Sequence, residues 1–247
     1  HLHGCEELSS AQLEQWRKWV EERHRRRPLA YIIGSWDFMG LHMKVDERTI
    51  VPRPETEQLV ELVLQQLDSK VQRSIIADVG TGCGAIAIAL ALKLPHAHIL
   101  AIDVSEEALS LARENARMHN VQQRITFLQG SILEPLEGYA VPRGLKAIVA
   151  NLPYVADDEI ATLPPEVRQY EPTIGWSGGK DGLKWVRQLI AQASYWLQPD
   201  GILALEVGTR QARRVEELLE CAGAWTAIEI YKDYAHIERF VTARRRS

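Results

Sequence analysis

The feature that most constrains this chain is a regular exchange between two hydrophobic periods along residues 74–222. Short, mostly apolar runs typical of buried strands occur at residues 74–79, 98–103, 125–129, 145–150 and 202–207. Longer segments with an apolar stripe at helical spacing lie between them, at residues 85–94, 106–119, 182–197 and 211–222. Strands that alternate with helices in this way form a largely parallel sheet with helices on both faces. Two closing strands, near residues 225–231 and 237–242, bring the predicted α/β sheet to seven strands.

The first part of the chain follows a different pattern. A helix is predicted to begin at Ser9, whose side chain forms a capping box with Gln12, and to end at Pro28. Its apolar stripe requires a partner, either a domain that this chain does not carry in full or the body that follows. Residues 29–51 are β-prone and aromatic, and they predict a hairpin. A second amphipathic helix is predicted to begin at Pro54.

Composition and charge exclude several classes of function. Hydrophobic residues make up 46% of the chain, yet no apolar run approaches the roughly 20 residues of a membrane span. A net charge of −4 disfavours broad electrostatic capture of nucleic acid. Cys5, Cys83 and Cys221 are too scattered for a disulfide framework or a metal site, and the eight histidines show no metal-binding spacing. We therefore expect a cytoplasmic monomer that binds no metal, no membrane and no nucleic acid directly.

A glycine-rich turn follows the first strand of the alternation. Residues 78–84 read DVGTGCG and run directly into a helix, which lets backbone approach a ligand at the carboxyl end of a strand. The spacing is GxGxG rather than the GxGxxG of dinucleotide-binding proteins, which disfavours a dinucleotide. Tight turns between a strand and a helix also use glycine for purely structural reasons. The cofactor-binding candidates in this turn are Gly80, Thr81, Gly82, Cys83 and Gly84.

An acidic residue ends the next strand. Asp103 lies about 20 residues beyond the glycine turn, where an acid in this kind of fold accepts hydrogen bonds from ribose hydroxyls. An aspartate at this position equally caps the helix that begins near Ser105. Together with the glycine turn, Asp103 indicates a ribose-bearing cofactor at the topological switch point of the sheet.

The tetrapeptide Asn151-Leu152-Pro153-Tyr154 carries the clearest chemical signal. It follows a predicted strand and therefore reaches the same carboxyl edge of the sheet. The Asn151 oxygen and the Leu152 carbonyl offer two acceptors for the hydrogens of a planar NH2 group, and Tyr154 offers a flat face. The alternative is a simple turn after a strand. With the two upstream features in place, the tetrapeptide predicts a site for an amide or an aromatic amine.

These motifs resemble those of the class I S-adenosylmethionine methyltransferases, and among them the release-factor glutamine methyltransferases of the PrmC/HemK family. The resemblance extends over nearly the whole chain from Pro28. It rests on the segments PLAYIIGSWDF, VPRPETEQLVE, DVGTGCGAIAIALA, VANLPYV, and EVRQYEP followed by GGKDGL. The stretch PRPETE is the most discriminating of these, because glycine turns and acids occur in many methyltransferases.

The resemblance implies a fold, a division into domains and a reaction. The implied fold is the Rossmann-like class I methyltransferase fold. Residues 1–28 are expected to be the remnant of an N-terminal helical substrate-binding domain, and residues 29–247 a hairpin linker with the catalytic domain. The implied reaction is methylation of the glutamine amide in the Gly-Gly-Gln motif of peptide-chain release factors, which act in translation termination. S-adenosylmethionine is the implied donor and S-adenosylhomocysteine the product.

The resemblance also implies roles for individual residues. The glycine turn is expected to hold the methionine part of the cofactor and Asp103 its ribose. Ser131 stands where an acid commonly contacts the adenine amino group. The predicted catalytic residues are Asn151, Pro153 and Tyr154. The predicted substrate-binding residues are these three with Leu152 and Phe38, and Asn151 is also expected to contact the cofactor.

Two residues depart from the family pattern and keep alternatives open. Ser131 replaces the common acid, and Leu152 replaces a proline, which keeps the carbonyl acceptor but removes a fixed φ and adds an N–H. The sequence NLPY also resembles the motif of ribosomal RNA adenine dimethyltransferases. An adenine amino methyltransferase acting on RNA or DNA is therefore one alternative, and it needs a basic channel around the pocket. A non-catalytic S-adenosylmethionine-binding subunit is the other.

Overall fold

The computed structural model describes residues 7–67, 74–138 and 144–247 of the chain. Residues 1–6 of the predicted N-terminal remnant, with Cys5, lie outside the described residues. The helices within these ranges are α1 Ser10–His24, α2 Leu29–Ile33, α3 Pro54–Gln66, α4 Ala85–Lys93, α5 Glu106–Met118, α6 Pro165–Tyr170, α7 Lys184–Trp196 and α8 Ala212–Ala222. The strands are β1 Ser35–Phe38, β2 Leu41–Lys44, β3 Ile75–Val79, β4 His98–Asp103, β5 Ile125–Gln129, β6 Leu145–Asn151, β7 Leu197–Glu206, β8 Trp225–Lys232 and β9 Glu238–Arg245.

The main sheet has seven strands in the order β5-β4-β3-β6-β7-β9-β8. Parallel pairing joins β3 to β4 and β6, β4 to β5, and β6 to β7. Strand β9 is antiparallel to both of its neighbours. The predicted α/β fold with a largely parallel sheet is confirmed. Because β4 and β6 lie on opposite sides of β3, a crevice opens at the carboxyl ends of these three strands.

Helices cover both faces of this sheet and bury a core on each. On one face α3, α4 and α5 contribute Leu59, Ile88 and Leu111. On the other face α7 and α8 contribute Leu189 and Leu219. Strands buried on both faces are apolar almost throughout, which explains the short apolar runs in the sequence. The two cores fix the strand ends from which the functional loops emerge.

Two segments differ from the prediction. The hairpin predicted over residues 29–51 is limited to β1 and β2, and α2 precedes it. Gly34 ends α2 in the left-handed conformation, with φ of 81°, so this glycine closes a helix rather than forming the turn of the hairpin. Strand β7 begins at Leu197 instead of residue 202, because a register shift against β6 accommodates the extra residues as a bulge.

The N-terminal helix α1 is attached to the body of the structure through residues at its carboxyl end. Ser9 and Gln12 form the predicted capping box, so the start of α1 is confirmed. No residue of α1 is buried, and its apolar stripe faces solvent. Arg23 and Arg26 each donate to the carboxylate of Glu166 at 2.8 Å, a contact that we call the Glu166 clasp. Within the described ranges, no helix has the length and apolar content needed to cross a membrane.

Candidate active site

A cleft opens at the carboxyl ends of β3, β4 and β6. Its volume is about 830 Å³ including its open mouth. The predicted site residues that line it are Gly80, Gly82, Asp103, Ser131, Asn151, Leu152 and Pro153. Other parts of the wall come from residues 48–50 before α3 and from Trp185 in α7. The predicted site residues that lie outside the wall are Thr81, Cys83, Gly84, Tyr154 and Phe38.

Three glycines shape the turn after β3. Gly80, Gly82 and Gly84 have φ angles of 76°, 54° and 87°, a left-handed conformation that glycine adopts without a steric cost. A Cβ on Gly82 would enter open space, so the backbone there is free to approach a bound molecule. A Cβ on Gly80 would lie 3.2 Å from Leu152 Cδ2. A Cβ on Gly84 would lie 3.1 Å from Ala112 Cβ, so Gly84 serves the packing of α4 on α5.

Asp78, near the end of β3, holds the turn in place. The Thr81 hydroxyl and the Ala87 N–H donate to its Oδ2 at 2.6 and 3.0 Å, and its Oδ1 has no partner among the described residues. Burial raises the pKa of Asp78 to about 7. The Cys83 carbonyl accepts from Asn115 Nδ2 at 2.9 Å, and burial raises the pKa of the Cys83 thiol to about 12. Thr81 and Cys83 thus support the turn from outside the cleft.

Asp103 joins the glycine turn to the loop after β4. The Gly82 N–H donates to its Oδ2 at 2.9 Å, and the Ser105 N–H donates to its Oδ1 at 3.0 Å. Burial raises the pKa of Asp103, and these backbone bonds act in the opposite direction. Each carboxylate oxygen accepts more than one bond, so Asp103 keeps acceptor capacity for a ligand in the cleft.

Asn151 belongs to a chain of three polar side chains. Its Nδ2 donates to Thr56 Oγ1 at 3.0 Å, and Thr56 Oγ1 donates to Glu206 Oε2 at 2.8 Å. Glu206 ends β7 directly beside Asn151 in the parallel β6–β7 pair, and Thr56 lies in the first turn of α3. Since Nδ2 is bonded to Thr56, the amide oxygen is the atom that Asn151 presents as an acceptor.

Tyr154 lies next to this polar chain and outside the cleft wall. Its carbonyl accepts from Gln211 Nε2 at 2.9 Å. Burial and then the nearby Glu206 carboxylate raise the pKa of the Tyr154 phenol to about 12, so the hydroxyl is neutral at physiological pH. A Cβ on Gly182 would lie 2.2 Å from the Tyr154 carbonyl oxygen. This contact explains the last glycine of the segment GGKDGL.

The segment PRPETE contributes the half-buried arginine of an ion pair with a buried acid. Arg53 Nη2 lies 2.8 and 2.6 Å from the two carboxylate oxygens of Glu171, whose side chain is 2% exposed. Burial raises the pKa of Glu171, while the Arg53 guanidinium lowers it. The pair joins the start of α3, which carries Thr56, to the end of α6. It therefore holds the helix that positions the partner of Asn151.

The structure places Phe38 in the core instead of the pocket. Its side chain is fully buried together with Met43 and Val45. Alternation along β1 turns it inward, away from the cleft. The expected wall is formed by Ile50 and Trp185 instead.

Several residues of the site were not predicted from the sequence. They are Arg53, Thr56, Glu171, Glu206 and Gln211, none of which stands in a motif with an obvious ligand-binding pattern. The available signals were the segment PRPETE itself and a glutamate at the end of the apolar run ILALEV. An acid that ends a buried strand at the ligand edge of a parallel sheet is itself a signal of a site residue.

The sheet order, the glycine turn after β3, the acid after β4 and the Asn151 segment after β6 together define a Rossmann-like methyltransferase. Residues 71–218 match the family profile described as a methyltransferase domain, and residues 1–34 match that of the PrmC N-terminal domain. A ribosomal protein L11 methylase from Lactobacillus delbrueckii subsp. bulgaricus has the same fold, with a TM-score of 0.55, 23% identity and coverage of 81% of this chain and 82% of that one. A methyltransferase from Pyrococcus furiosus aligns with a TM-score of 0.62, 17% identity and coverage of 95% and 99%.

Curated relatives narrow the class to one family. The release factor glutamine methyltransferase of Synechocystis sp. is 42% identical over 93% of this chain and 76% of its own length. Those of Moorella thermoacetica and Deinococcus radiodurans are each 41% identical, over 98% and 99% of this chain and 83% and 84% of their own lengths. The chain belongs to the release factor glutamine methyltransferase family.

Proposed function

We propose that this chain transfers a methyl group from S-adenosylmethionine to the side-chain amide nitrogen of the glutamine in the Gly-Gly-Gln motif of peptide-chain release factors. The observation that carries the proposal is the orientation of Asn151. Its nitrogen is bonded to Thr56, so its oxygen is available to accept a hydrogen bond from an NH2 group. The family membership supports a release factor as the protein that carries this amide, and it supports a reaction in the cytoplasm.

The residues that line the cleft suit the chemistry of the cofactor. Gly82 leaves open space for the methionine part, and Asp103 keeps acceptor capacity for ribose hydroxyls. Ser131 lines the cleft and offers a hydroxyl to the adenine end. The predicted adenine contact therefore falls to a neutral group, where a carboxylate is common. When bound, S-adenosylmethionine supplies an electrophilic methyl carbon on a sulfonium sulfur.

The residues of the chain then have two tasks, alignment and charge stabilisation. An amide nitrogen is a weak nucleophile because its lone pair is delocalised into the carbonyl. The Asn151 oxygen and the Leu152 carbonyl accept hydrogen bonds from the two N–H groups of the substrate amide. These bonds orient the amide nitrogen toward the methyl carbon and stabilise the positive charge that develops on the nitrogen. The bound cofactor would supply the methyl group and would leave as S-adenosylhomocysteine with the electron pair of the C–S bond, and the proton of the methylated nitrogen would pass to water. We assign no general base.

Pro153 and Tyr154 act on the shape of this site. Pro153 lines the cleft beside Leu152, and its fixed φ restrains the backbone that presents the Leu152 carbonyl. The Tyr154 backbone is held through Gln211. Leu152 is 5% exposed and touches the glycine turn through its side chain, and its backbone carbonyl serves as a proline carbonyl would.

The test is mass spectrometry of a release factor after incubation with this chain and S-adenosylmethionine. We expect one added methyl group on the Gly-Gly-Gln glutamine. Unmethylated ribosomal RNA is incubated in parallel, because methyl on RNA adenine alone would establish the adenine alternative. An inactive chain that still binds S-adenosylmethionine would support the non-catalytic alternative. The monomeric state and the lack of direct nucleic-acid binding stay predictions.

The Asn151→Ala variant is the matched control. It removes the oxygen that accepts the substrate N–H and should lower kcat about a hundredfold or more. The affinity for the cofactor should fall far less than kcat, because Asp103 and the glycine turn, which hold most of the cofactor, are untouched. Methyl transfer at the wild-type rate in this variant would contradict the mechanism.

A further inference from the structure

Glu206 is a buried acid that the proposed reaction does not use directly. Its side chain lies at the end of β7, and the residue is 2% exposed. It bonds to Thr56 at 2.8 Å, and Thr56 bonds to Asn151 at 3.0 Å. Burial of an acid among apolar strands is unfavourable unless the acid is hydrogen-bonded. The position of Glu206 close to Asn151 therefore suggests a role in the site.

The direction of these hydrogen bonds follows from the chemistry of each group. An ionised carboxylate can only accept, so the Thr56 hydroxyl must donate to Glu206. That hydroxyl has a single hydrogen, so its oxygen can only accept from Asn151. The group of Asn151 that faces Thr56 must then be the NH2, and the oxygen must face the other way. If the Asn151 amide were reversed, its oxygen would face Thr56 Oγ1, and neither atom would have a hydrogen to donate.

We propose that Glu206, acting through Thr56, fixes the orientation of the Asn151 amide so that its oxygen receives the substrate NH2. Glu206 and Thr56 are positioning residues, since neither contacts the reacting atoms. The inference rests on the proposed function, because it assumes that an NH2 group is the acceptor.

The protonation state of Glu206 decides whether this constraint holds. Burial raises the pKa of Glu206 to about 7, although the Thr56 hydrogen bond and the charge of Arg239 both lower it. Further charges around it are Glu55, which raises the pKa, and Arg53, which lowers it; the neutral Tyr154 phenol is also near. A protonated Glu206 can donate to Thr56, and the Thr56 hydroxyl is then free to donate to Asn151. Below pH 7 the side-chain amide of Asn151 can therefore flip and exchange the positions of its oxygen and its NH2 group. We expect kcat to rise as the pH increases through about 7.

The experiment compares Thr56→Val, Thr56→Ser and Glu206→Gln with the wild type, using a release factor and saturating S-adenosylmethionine between pH 6 and pH 9. Valine has the shape of threonine without the hydroxyl, and we expect kcat to fall about tenfold or more, the effect of one lost hydrogen bond. Serine keeps the hydroxyl and should restore most of the rate. The glutamine of Glu206→Gln accepts from Thr56 but does not titrate, so the rise of kcat near pH 7 should disappear.

Two further measurements separate positioning from general damage. The dissociation constant of S-adenosylmethionine should change less than about twofold in each variant, since neither Thr56 nor Glu206 lines the cleft. Thr242→Val makes the same substitution at another buried threonine, whose hydroxyl bonds Gln66, and should leave kcat and its pH profile unchanged. Burial also raises the pKa of Asp78 to about 7. Because Asp78 holds the cofactor turn, its protonation should change the dissociation constant of S-adenosylmethionine more than kcat at saturating cofactor.

The outcomes are distinct. A wild-type chain that methylates no release factor would refute the proposed function, and the positioning role with it. An active wild type with a Thr56→Val rate within twofold of normal would overturn the positioning role alone. So would a Glu206→Gln enzyme that keeps the wild-type pH profile. Loss of rate in Thr56→Val, rescue in Thr56→Ser and a flat profile in Glu206→Gln would together establish it.

Discussion

The ion pair between Arg53 and Glu171 allows a change in the free energy of unfolding to be predicted with its magnitude. Replacing Arg53 with Met keeps most of the apolar stem but leaves the Glu171 carboxylate buried and without its charged partner. Removal of one partner from a buried pair costs about 3–5 kcal/mol. The lower end is expected here, since the Val51 backbone N–H still donates to Glu171 and the acid can take up a proton. We therefore expect the free energy of unfolding to fall by about 3 kcal/mol at pH 7.

The measurement is urea denaturation followed by the linear dependence of unfolding free energy on urea. Burial raises the pKa of Glu171, and without Arg53 that shift grows. A carboxyl whose folded pKa exceeds its unfolded value destabilises the protein as pH rises, so the deficit of Arg53→Met should increase from pH 5 to pH 8.

The double variant Arg53→Met with Glu171→Gln tests the reasoning. It removes both charges, and replacing both members of a buried pair is often close to neutral. The double variant should therefore recover most of the stability lost in the single one. If it is as unstable as Arg53→Met, the loss comes from packing of the arginine stem, and the argument from an unpaired charge is refuted.

Three other predictions follow from the site and its supports. Asp103→Ala should raise the dissociation constant of S-adenosylmethionine about tenfold or more, measured by calorimetry, with little change in kcat at saturation; an unchanged constant would contradict its assignment to the ribose. Gly182→Ala places a Cβ against the Tyr154 carbonyl and should lower Tm by about 4 °C or more, whereas Gly223→Ala, which has a similar φ but open space around it, should lower it less. Glu166→Gln weakens the Glu166 clasp, and the amides of α1 should then exchange hydrogen faster; equal exchange rates would show that other contacts hold α1.

The sheet and half of the site could be predicted from the sequence because both depend on local patterns. Each strand buried on two faces produces its own apolar run, and Asp103 and Asn151 directly follow such runs. Parallel strands bring their carboxyl ends to one edge whatever the details of packing. For this reason the sequence alone groups the residues after β3, β4 and β6 into one site.

The partners of these residues could not be predicted in the same way. Thr56 and Glu206 are separated by 150 positions, and their contact depends on how α3 packs across the end of β7. No hydrophobic period reports such a contact. Phe38 shows the converse difficulty, because an aromatic residue in a short hairpin suits a pocket wall and a core equally well, and only packing against Met43 decides between them.

The residues that orient the Asn151 amide stand on elements that differ in rigidity. Asn151 and Glu206 stand on adjacent parallel strands, so a continuous ladder of backbone hydrogen bonds keeps them about 4.8 Å apart, a spacing that no side-chain substitution easily alters. Thr56 stands on α3, which is held by the core packing of Leu59, Val60 and Val63 and by the bond from Arg53 to Glu171. The two strands fix the distance between Asn151 and Glu206, whereas the position of α3 sets the contact with Thr56. The orientation of the Asn151 amide therefore depends mainly on where α3 lies.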